Sequence, residues 1–427
     1  MTNPTVRVPV LVLACNLVLA GALQVACSSG HQESLRDRAH RVHRDAIVID
    51  THSDLTPFLE KDTQLPQITD PGLGGPGYDA AADAPRQPIL PTDNWYKTFP
   101  PGPWKFTDRH TDGYEDLPRM REGGLDAEFF AVYMEEETRP GMAVRRAIEQ
   151  FDAIHTICEK YPKDIALART AADVRAIVKS GRVAALIGVE GGHMIEDDLR
   201  ALRMYARLGA RYMTITHAFN TNWADSSGVG PPLAPRHNGL SPFGRKVVEE
   251  MNRLGILVDV SHTGDKAFFD ALAVTKAPII ASHSGCRAVR DHPRNMSDEM
   301  LRALAQNGGV IHIDAVTKYI NPAIALNVAP QSYTDMQAVK EPPTPLSVVV
   351  DHVMHAVQVA GPDHVGIGLD YGYGVPAPVG LEDVSKLEAL TYALLERGLD
   401  EATVRKILGE NTLRVMEEAE RVAAGMK

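Results

Sequence analysis

Three imidazoles and two carboxylates of this chain stand where short apolar runs give way to polar residues. His52 and Asp54 close Ile49-Asp50-Thr51-His52-Ser53-Asp54, Glu190 follows the run Val183 to Val189, His262 ends Val258-Asp259-Val260-Ser261-His262, and His283 ends Ile279-Ile280-Ala281-Ser282-His283. Nitrogen and oxygen donors in this ratio suit zinc or another borderline divalent ion. His52 and Asp54 lie two residues apart, so in an extended segment both side chains point to one side and grip one cation. Glu190 is flanked by Gly188, Gly191 and Gly192, which leave room for close approach, and its two oxygens suit two different ions. The five donors divide into His52 and Asp54 on one ion, His262 and His283 on a second, and Glu190 between them. Two ions so placed hold a hydroxide, lower its pKa toward neutrality and polarise a carbonyl, which is the chemistry of hydrolysis. Taken singly, each residue has a plainer role as a turn cap, a solvated side chain or a structural hydrogen-bonder. Their recurrence at successive strand ends favours the metal site.

The runs that carry these residues are short and rich in Val, Ile, Ala and Met: 46–50, 127–133, 183–189, 211–216, 256–261, 278–282, 310–313 and 365–369. Near-continuous apolar character is expected of strands buried on both faces. Between them, 142–160, 170–180, 197–208, 242–254, 265–274, 298–306 and 346–360 space apolar residues three and four apart, as amphipathic helices do. Strand and helix in alternation predict an α/β fold, a (β/α)8 TIM-type barrel, whose catalytic groups sit where the strands end.

The remaining composition is compatible with one large core: 427 residues, 44% hydrophobic and 23% charged. A net charge of -11 and only 6% aromatic residues argue against a nucleic-acid partner. Residues 1–30 stand apart as an export signal and linker, with Arg7 ahead of an apolar run from Val8 to Ala26. The ending Val25-Ala26-Cys27-Ser28-Ser29-Gly30 resembles a bacterial lipoprotein attachment site at Cys27, although Gln24 stands where an aliphatic side chain is usual. An uncleaved anchor, or an ordinary signal with an incidental Cys27, are the alternatives. Either route places residues 31–427 outside the cytoplasm, in the periplasm or on the cell-envelope membrane. Cys158 and Cys286 lie on unrelated segments and indicate no disulfide framework.

The stretch from about 56 to 118 interrupts the alternation. It has little periodicity and much Pro and Gly, as in Pro71-Gly72-Leu73-Gly74-Gly75-Pro76-Gly77. Because it follows the first strand it overlies the mouth that holds His52 and Asp54. It is either a lid or a surface loop packed on the body.

Several longer motifs occur in order: Gly188-Val189-Glu190-Gly191-Gly192-His193, Arg211-Tyr212-Met213-Thr214-Ile215-Thr216-His217, Asn220-Thr221-Asn222-Trp223-Ala224-Asp225, Gly239-Leu240-Ser241-Pro242-Phe243-Gly244, Ser282-His283-Ser284, Arg294-Asn295 and Gly366-Ile367-Gly368-Leu369-Asp370. Together they resemble the membrane dipeptidase (renal dipeptidase) family of the amidohydrolase superfamily, over about 45–418. The resemblance implies a dipeptidase with two zinc ions per chain, on His52, Asp54, Glu190, His262 and His283, acting as a homodimer. It further implies that His217 holds the scissile carbonyl oxygen as charge develops, a role in which a donor is worth most in the transition state. Arg294 matches the arginine that receives the substrate carboxylate, to which a guanidinium fork is suited. Asp370 matches the residue that holds the free amine and passes a proton to the leaving nitrogen. Tyr319 matches a pocket tyrosine, and Tyr133 joins it as a candidate because it ends the second predicted strand. The chain departs from the family after its last strand, reading Asp370-Tyr371-Gly372 where a second acidic residue is common. It also departs after the first metal pair, in Ser53-Asp54-Leu55-Thr56-Pro57. Other amidohydrolase chemistry, on N-acyl amino acids or cyclic amides, and a catalytically silent exported binding protein are the competing functions.

Overall fold

In the computed structural model the described residues are 1, 33–63, 104–111, 113–134, 141–229, 233–324, 342–372 and 376–426. Among the described residues nine parallel strands form one sheet: β1 (Ile49–Ser53), β2 (Ala127–Val132), β3 (Ile165–Leu167), β4 (Val183–Val189), β5 (Ala210–Thr214), β6 (Leu257–Asp259), β7 (Ile280–Ser284), β8 (Val310–Ile313) and β9 (Val365–Ile367). Eight of them follow the order β1-β2-β4-β5-β6-β7-β8-β9, while β3 pairs only with β4, outside that path. Beyond the last strand the two ends of the ring are joined by single hydrogen bonds, Asp370 N to His52 O at 3.2 Å and Asp54 N to Tyr371 O at 3.2 Å. This is the predicted TIM-type barrel, nearly closed, with helices around it. Pairing varies along the ring: β2 and β4 match over six residue pairs, whereas β6 and β7 share only Asp259 with Ile280.

The strands are buried throughout their length for β1, β2, β4 and β7, which is why their sequences read as apolar runs instead of alternating ones. The predicted helices at Pro242–Leu254, Asp265–Val274, Asp298–Gln306 and Leu346–Ala360 have the expected bounds. Local chemistry explains the sharp ends. Ser241 accepts from Gly244 N, Pro242 opens the helix, and Gly255 closes it in a left-handed turn at φ 70°.

Three expectations need correction. Ile165–Leu167 is a strand, too short to stand out as an apolar run, held by the register Ile165 with Val183 to Leu167 with Ala185. The first strand begins at Ile49 and not Ala46, so His52 lies inside it; likewise β7 runs to Ser284 and contains His283. The insertion is not structureless at its start, because Thr56–Thr63 is a helix that buries Phe58 and Leu59. Its described far end packs against that helix, with Trp104 and Phe58 rings 5.4 Å apart. Arg146 Nη2 donates to Glu60 Oε2 at 2.6 Å and Lys160 Nζ to Asp62 Oδ1 at 2.6 Å, tying the same helix to Ala143–Lys160. Residues 64–103, which include the rest of the proposed lid, lie outside the described residues, as does Cys27. No helix among the described residues is long and apolar enough to cross a membrane.

Candidate metal centre

Glu190, one residue past β4, is the hub of the barrel mouth. Its Oε2 lies 3.5 Å from His52 Nε2, while its Oε1 lies 3.2 Å from His262 Nε2 and 3.3 Å from His283 Nε2. One oxygen thus faces each of the two predicted ion positions. His52 Nε2 is also 3.7 Å from Asp54 Oδ1 and 3.6 Å from Asp370 Oδ1, and His217 Nε2 is 3.6 Å from Glu190 Oε1. Donor atoms of His52, Asp54 and Asp370 fall within 4.8 Å of one another, as do those of Glu190, His217 and His262, and of His52, Glu190 and His283. All five predicted ligands are therefore together, with His217 on one flank and Asp370 on the other.

The surrounding sequence aims these side chains. A Cβ on Gly188 would lie 2.0 Å from Tyr212 Cζ, so only glycine lets the Tyr212 ring cross to His52. There the Tyr212 hydroxyl meets His52 Nδ1 at 2.8 Å. His283 Nδ1 lies 2.8 Å from Ser282 Oγ, which donates to Asp259 Oδ2 at 2.6 Å. With its hydroxyl proton given to Asp259, Ser282 accepts from the Nδ1–H of His283 and leaves Nε2 as the lone-pair nitrogen toward Glu190. This is how outer partners set the tautomer of a ligand histidine. His262 and Asp370 hold left-handed backbones, φ 62° and 58°, a strained choice for residues other than glycine. Tyr212 and Asp259 escaped sequence reading, although an acid inside the apolar run Val258-Asp259-Val260 was a usable signal.

Electrostatics suit a cation pair. Burial opposes ionisation of Glu190, yet His52, His217, His262 and His283 together hold it well below the usual carboxylate range. Burial, then the charge of Arg294, keeps His262 well below the ordinary imidazole value; burial, then His52, does the same for His283. Neutral imidazoles are what metal ligation requires. His52 differs: burial is outweighed by Tyr212, Glu190 and Asp54, which raise it well above the ordinary imidazole value, so an ion there would have to displace its proton. The buried His52 Nε2 has no hydrogen-bond partner, and His262 Nε2 and His283 Nε2 face each other at 3.0 Å. Three nitrogens and carboxylates from Asp54 and Glu190, whose inner atoms face one another, fit two borderline divalent ions.

The predicted substrate residues ring this cluster. The His217 ring lies 4.3 Å from that of His262 and 4.6 Å from that of Tyr133. Arg294 is buried and donates from Nη2 to His283 O at 3.1 Å, but its Nε and Nη1 have no partner. Its guanidinium carbon stands 5.1 Å from the Tyr319 ring, which is itself buried. A buried guanidinium with two uncommitted donor atoms is chemically suited to receive an anion. One mouth residue was missed. Asp314 follows β8, is fully buried and has no partner on either oxygen. Burial pushes its pKa up to about 7 against the pull of Arg294 and Lys318. It ends the run Val310-Ile311-His312-Ile313 just as Glu190 ends its own, so the same strand-end signal applied to it.

Comparison with known proteins gives one consistent result. Residues 36–427 match the family described as membrane dipeptidase (peptidase family M19). The chain is 39% identical over 324 residues to dipeptidase verJ of Clonostachys rogersoniana, covering 74% of this chain and 78% of that protein. The crystal structure of a metallopeptidase from Rhodobacter sphaeroides, liganded with a phosphinate mimic of the dipeptide L-Ala-D-Ala, is similar at 26% identity and a TM-score of 0.67, covering 88% of this chain and 100% of that one. The probable dipeptidase PvdM of Pseudomonas aeruginosa shares the fold at 23% identity and a TM-score of 0.73, covering 91% of this chain and 99% of that one.

Proposed function

The chain belongs to the membrane dipeptidase family, peptidase family M19, and from that premise we propose that it is an exported dipeptidase working with two zinc ions. The observation that carries the substrate class is Arg294, a buried cation beside the metal cluster with two uncommitted donors. It is suited to the C-terminal carboxylate of a short peptide. The dipeptide mimic bound by the Rhodobacter relative, and the name of the Clonostachys one, support the same reading.

His52, Asp54, Glu190, His262 and His283 would hold the ions. Bound there, such ions supply Lewis-acid polarisation of a carbonyl and a water acidified to near neutrality. The chain's own residues do the rest. Arg294 fixes the carboxylate end of the substrate through Nε and Nη1, while the Tyr319 ring packs against the guanidinium. His217 presents Nε2 to the carbonyl oxygen, where a hydrogen bond strengthens as charge develops. Asp370, 3.6 Å from His52 Nε2, holds the substrate's free amine on the opposite flank and hands a proton to the leaving nitrogen. Cations and anions thus sit at the two ends of the groove, and a molecule bearing both termini close to its only amide bond satisfies both. Longer peptides satisfy only one. Export rests on the apolar run from Val8 to Ala26, and lipid attachment on Cys27.

A panel of dipeptides, N-acyl amino acids and a phosphotriester, assayed on the mature protein with and without chelator, tests the reading. Dipeptides should be cleaved, chelator should abolish cleavage, and zinc should restore it. Chelator-insensitive turnover, or a preference for N-acyl amino acids lacking a free amine, would overturn it.

A further inference from the structure

A second group of buried acids lies beside the mouth and takes no part in the chemistry above. Asp50 on β1 and Glu128 on β2 are register partners. Glu115, at the end of the insertion, meets them just before helix Leu117–Gly123, and accepts from Ser53 Oγ through Oε2. Oxygens of all three lie within 4.8 Å of one another, and the residues are 1%, 2% and 0% exposed for Asp50, Glu115 and Glu128.

Most of the carboxylate oxygens in this group are uncommitted. Asp50 Oδ1 accepts from Leu369 N at 2.9 Å and His52 N at 3.2 Å, and Glu115 Oε2 is used by Ser53. Asp50 Oδ2, Glu115 Oε1 and both oxygens of Glu128 have no hydrogen-bond partner. Glu128 is the telling member: wholly buried, wholly unpartnered, and aimed at the other two. An orphaned buried carboxylate is costly unless something neutralises it. Arg119 acts on Glu115 alone of the three; its Nε is paired with Asp116 Oδ2 at 2.7 Å, while its buried Nη2 makes no hydrogen bond to any of the acids. The four uncommitted oxygens make no hydrogen bonds with one another. Oxygens lying around one ion at about 2.3–2.6 Å each, and up to about 5 Å apart across it, match the spacing.

We propose that Asp50, Glu115 and Glu128 form a third cation site, made only of oxygen donors, that takes a hard divalent ion of the calcium or magnesium class. Absence of imidazole or thiolate separates it chemically from the mixed nitrogen and oxygen mouth. The ion fastens the end of the insertion to the first two barrel strands, one residue away from His52 and Asp54 through the Ser53 contact.

Elemental analysis of the full-length, zinc-loaded protein after equilibration with calcium or magnesium tests this directly. Terbium serves as an optical probe, sensitised through the stacked Tyr114 and Tyr371 rings, 5.2 Å apart. One hard ion per chain beyond the zinc is expected, with terbium emission displaced by calcium. Glu128→Gln and Glu115→Gln should each weaken that binding by more than about tenfold, at unchanged zinc content. The proposal fails if the zinc-loaded wild type takes up no hard ion, if the extra ion is a zinc that calcium does not displace, or if both variants bind as the wild type does. Should Glu128→Gln not fold, the wild-type stoichiometry and Glu115→Gln still decide.

Discussion

Glu190 and Glu128 are both buried glutamates on neighbouring strands of one barrel, and their surroundings push them in opposite directions. Glu128 sits within β2, where burial and then the charges of Asp50 and Glu115 hold its pKa well above the usual value. Glu190 follows β4, where burial is outweighed by four histidines and the pKa falls well below. Depth alone does not decide the charge of a buried acid; the signs and number of its neighbours weigh against it. The same contrast separates two kinds of cation site. At the mouth, imidazoles already stabilise the carboxylate, and the donor mix selects borderline metals. In the acidic triad only His52 and the Phe129 backbone favour the charged form of Glu128, against burial, Asp50 and Glu115, and the oxygen-only donor set selects hard ions.

The largest effect should come from the mouth. Glu190→Gln removes the charge that both ion positions share, and kcat/KM should fall by roughly 10^3-fold or more with zinc content reduced. A variant that keeps two zinc ions and near-native turnover would make Glu190 no different in kind from Glu128. Asp370→Asn should come next, lowering kcat by on the order of 10^2-fold while zinc content and melting temperature hold, because it removes a proton carrier and not a ligand. Smaller again is Asp259→Asn. By loosening the Ser282 link to His283 it should weaken zinc affinity by roughly 10–100-fold, read by titration with a competing chelator. If affinity is unchanged, the imidazoles alone set the mouth's preference, and outer contacts add nothing to the contrast.

What the sequence disclosed follows the same physics. Glu190, His262 and His283 stood out as candidates because polar groups at or near the ends of buried apolar runs are visible in one dimension. Arg294, His217 and Asp370 were assigned through motif resemblance, since a guanidinium among Arg287, Arg290 and Arg302 carries no local mark of its partner. Strand β3 was invisible because its three residues owe their pairing to β4 and not to their own pattern. The acidic triad was hidden for a related reason. Asp50, Glu115 and Glu128 are far apart in the chain, and only the register of β1 with β2, and the return of the insertion to Ser53, bring them together.

Asp314 lies between the two extremes and gives the finest test. It is a mouth carboxylate with cationic neighbours, Arg294 and Lys318, yet burial prevails and its pKa rises from 3.8 to about 7. A carboxyl whose folded pKa is raised binds its proton more tightly when folded. Its contribution is therefore intact below pH 4, declines as pH climbs from 4 to 7, and is fully lost above. Asp314→Asn avoids that loss. Its stability relative to wild type, measured by urea unfolding, should improve from pH 4.5 to pH 8, by at most ~4 kcal/mol for a displacement of this size. The wild type should also show a KM for dipeptides that rises above pH 7, as ionised Asp314 competes with the substrate carboxylate for Arg294, and the variant should not. An advantage for Asp314→Asn that is flat or shrinks with pH would mean that Arg294 already satisfies Asp314, making the arginine a structural partner instead of a receptor. In that outcome Asp314 would resemble Glu190, a buried acid held ionised by its neighbours, and the free end of the substrate groove would have to be sought elsewhere.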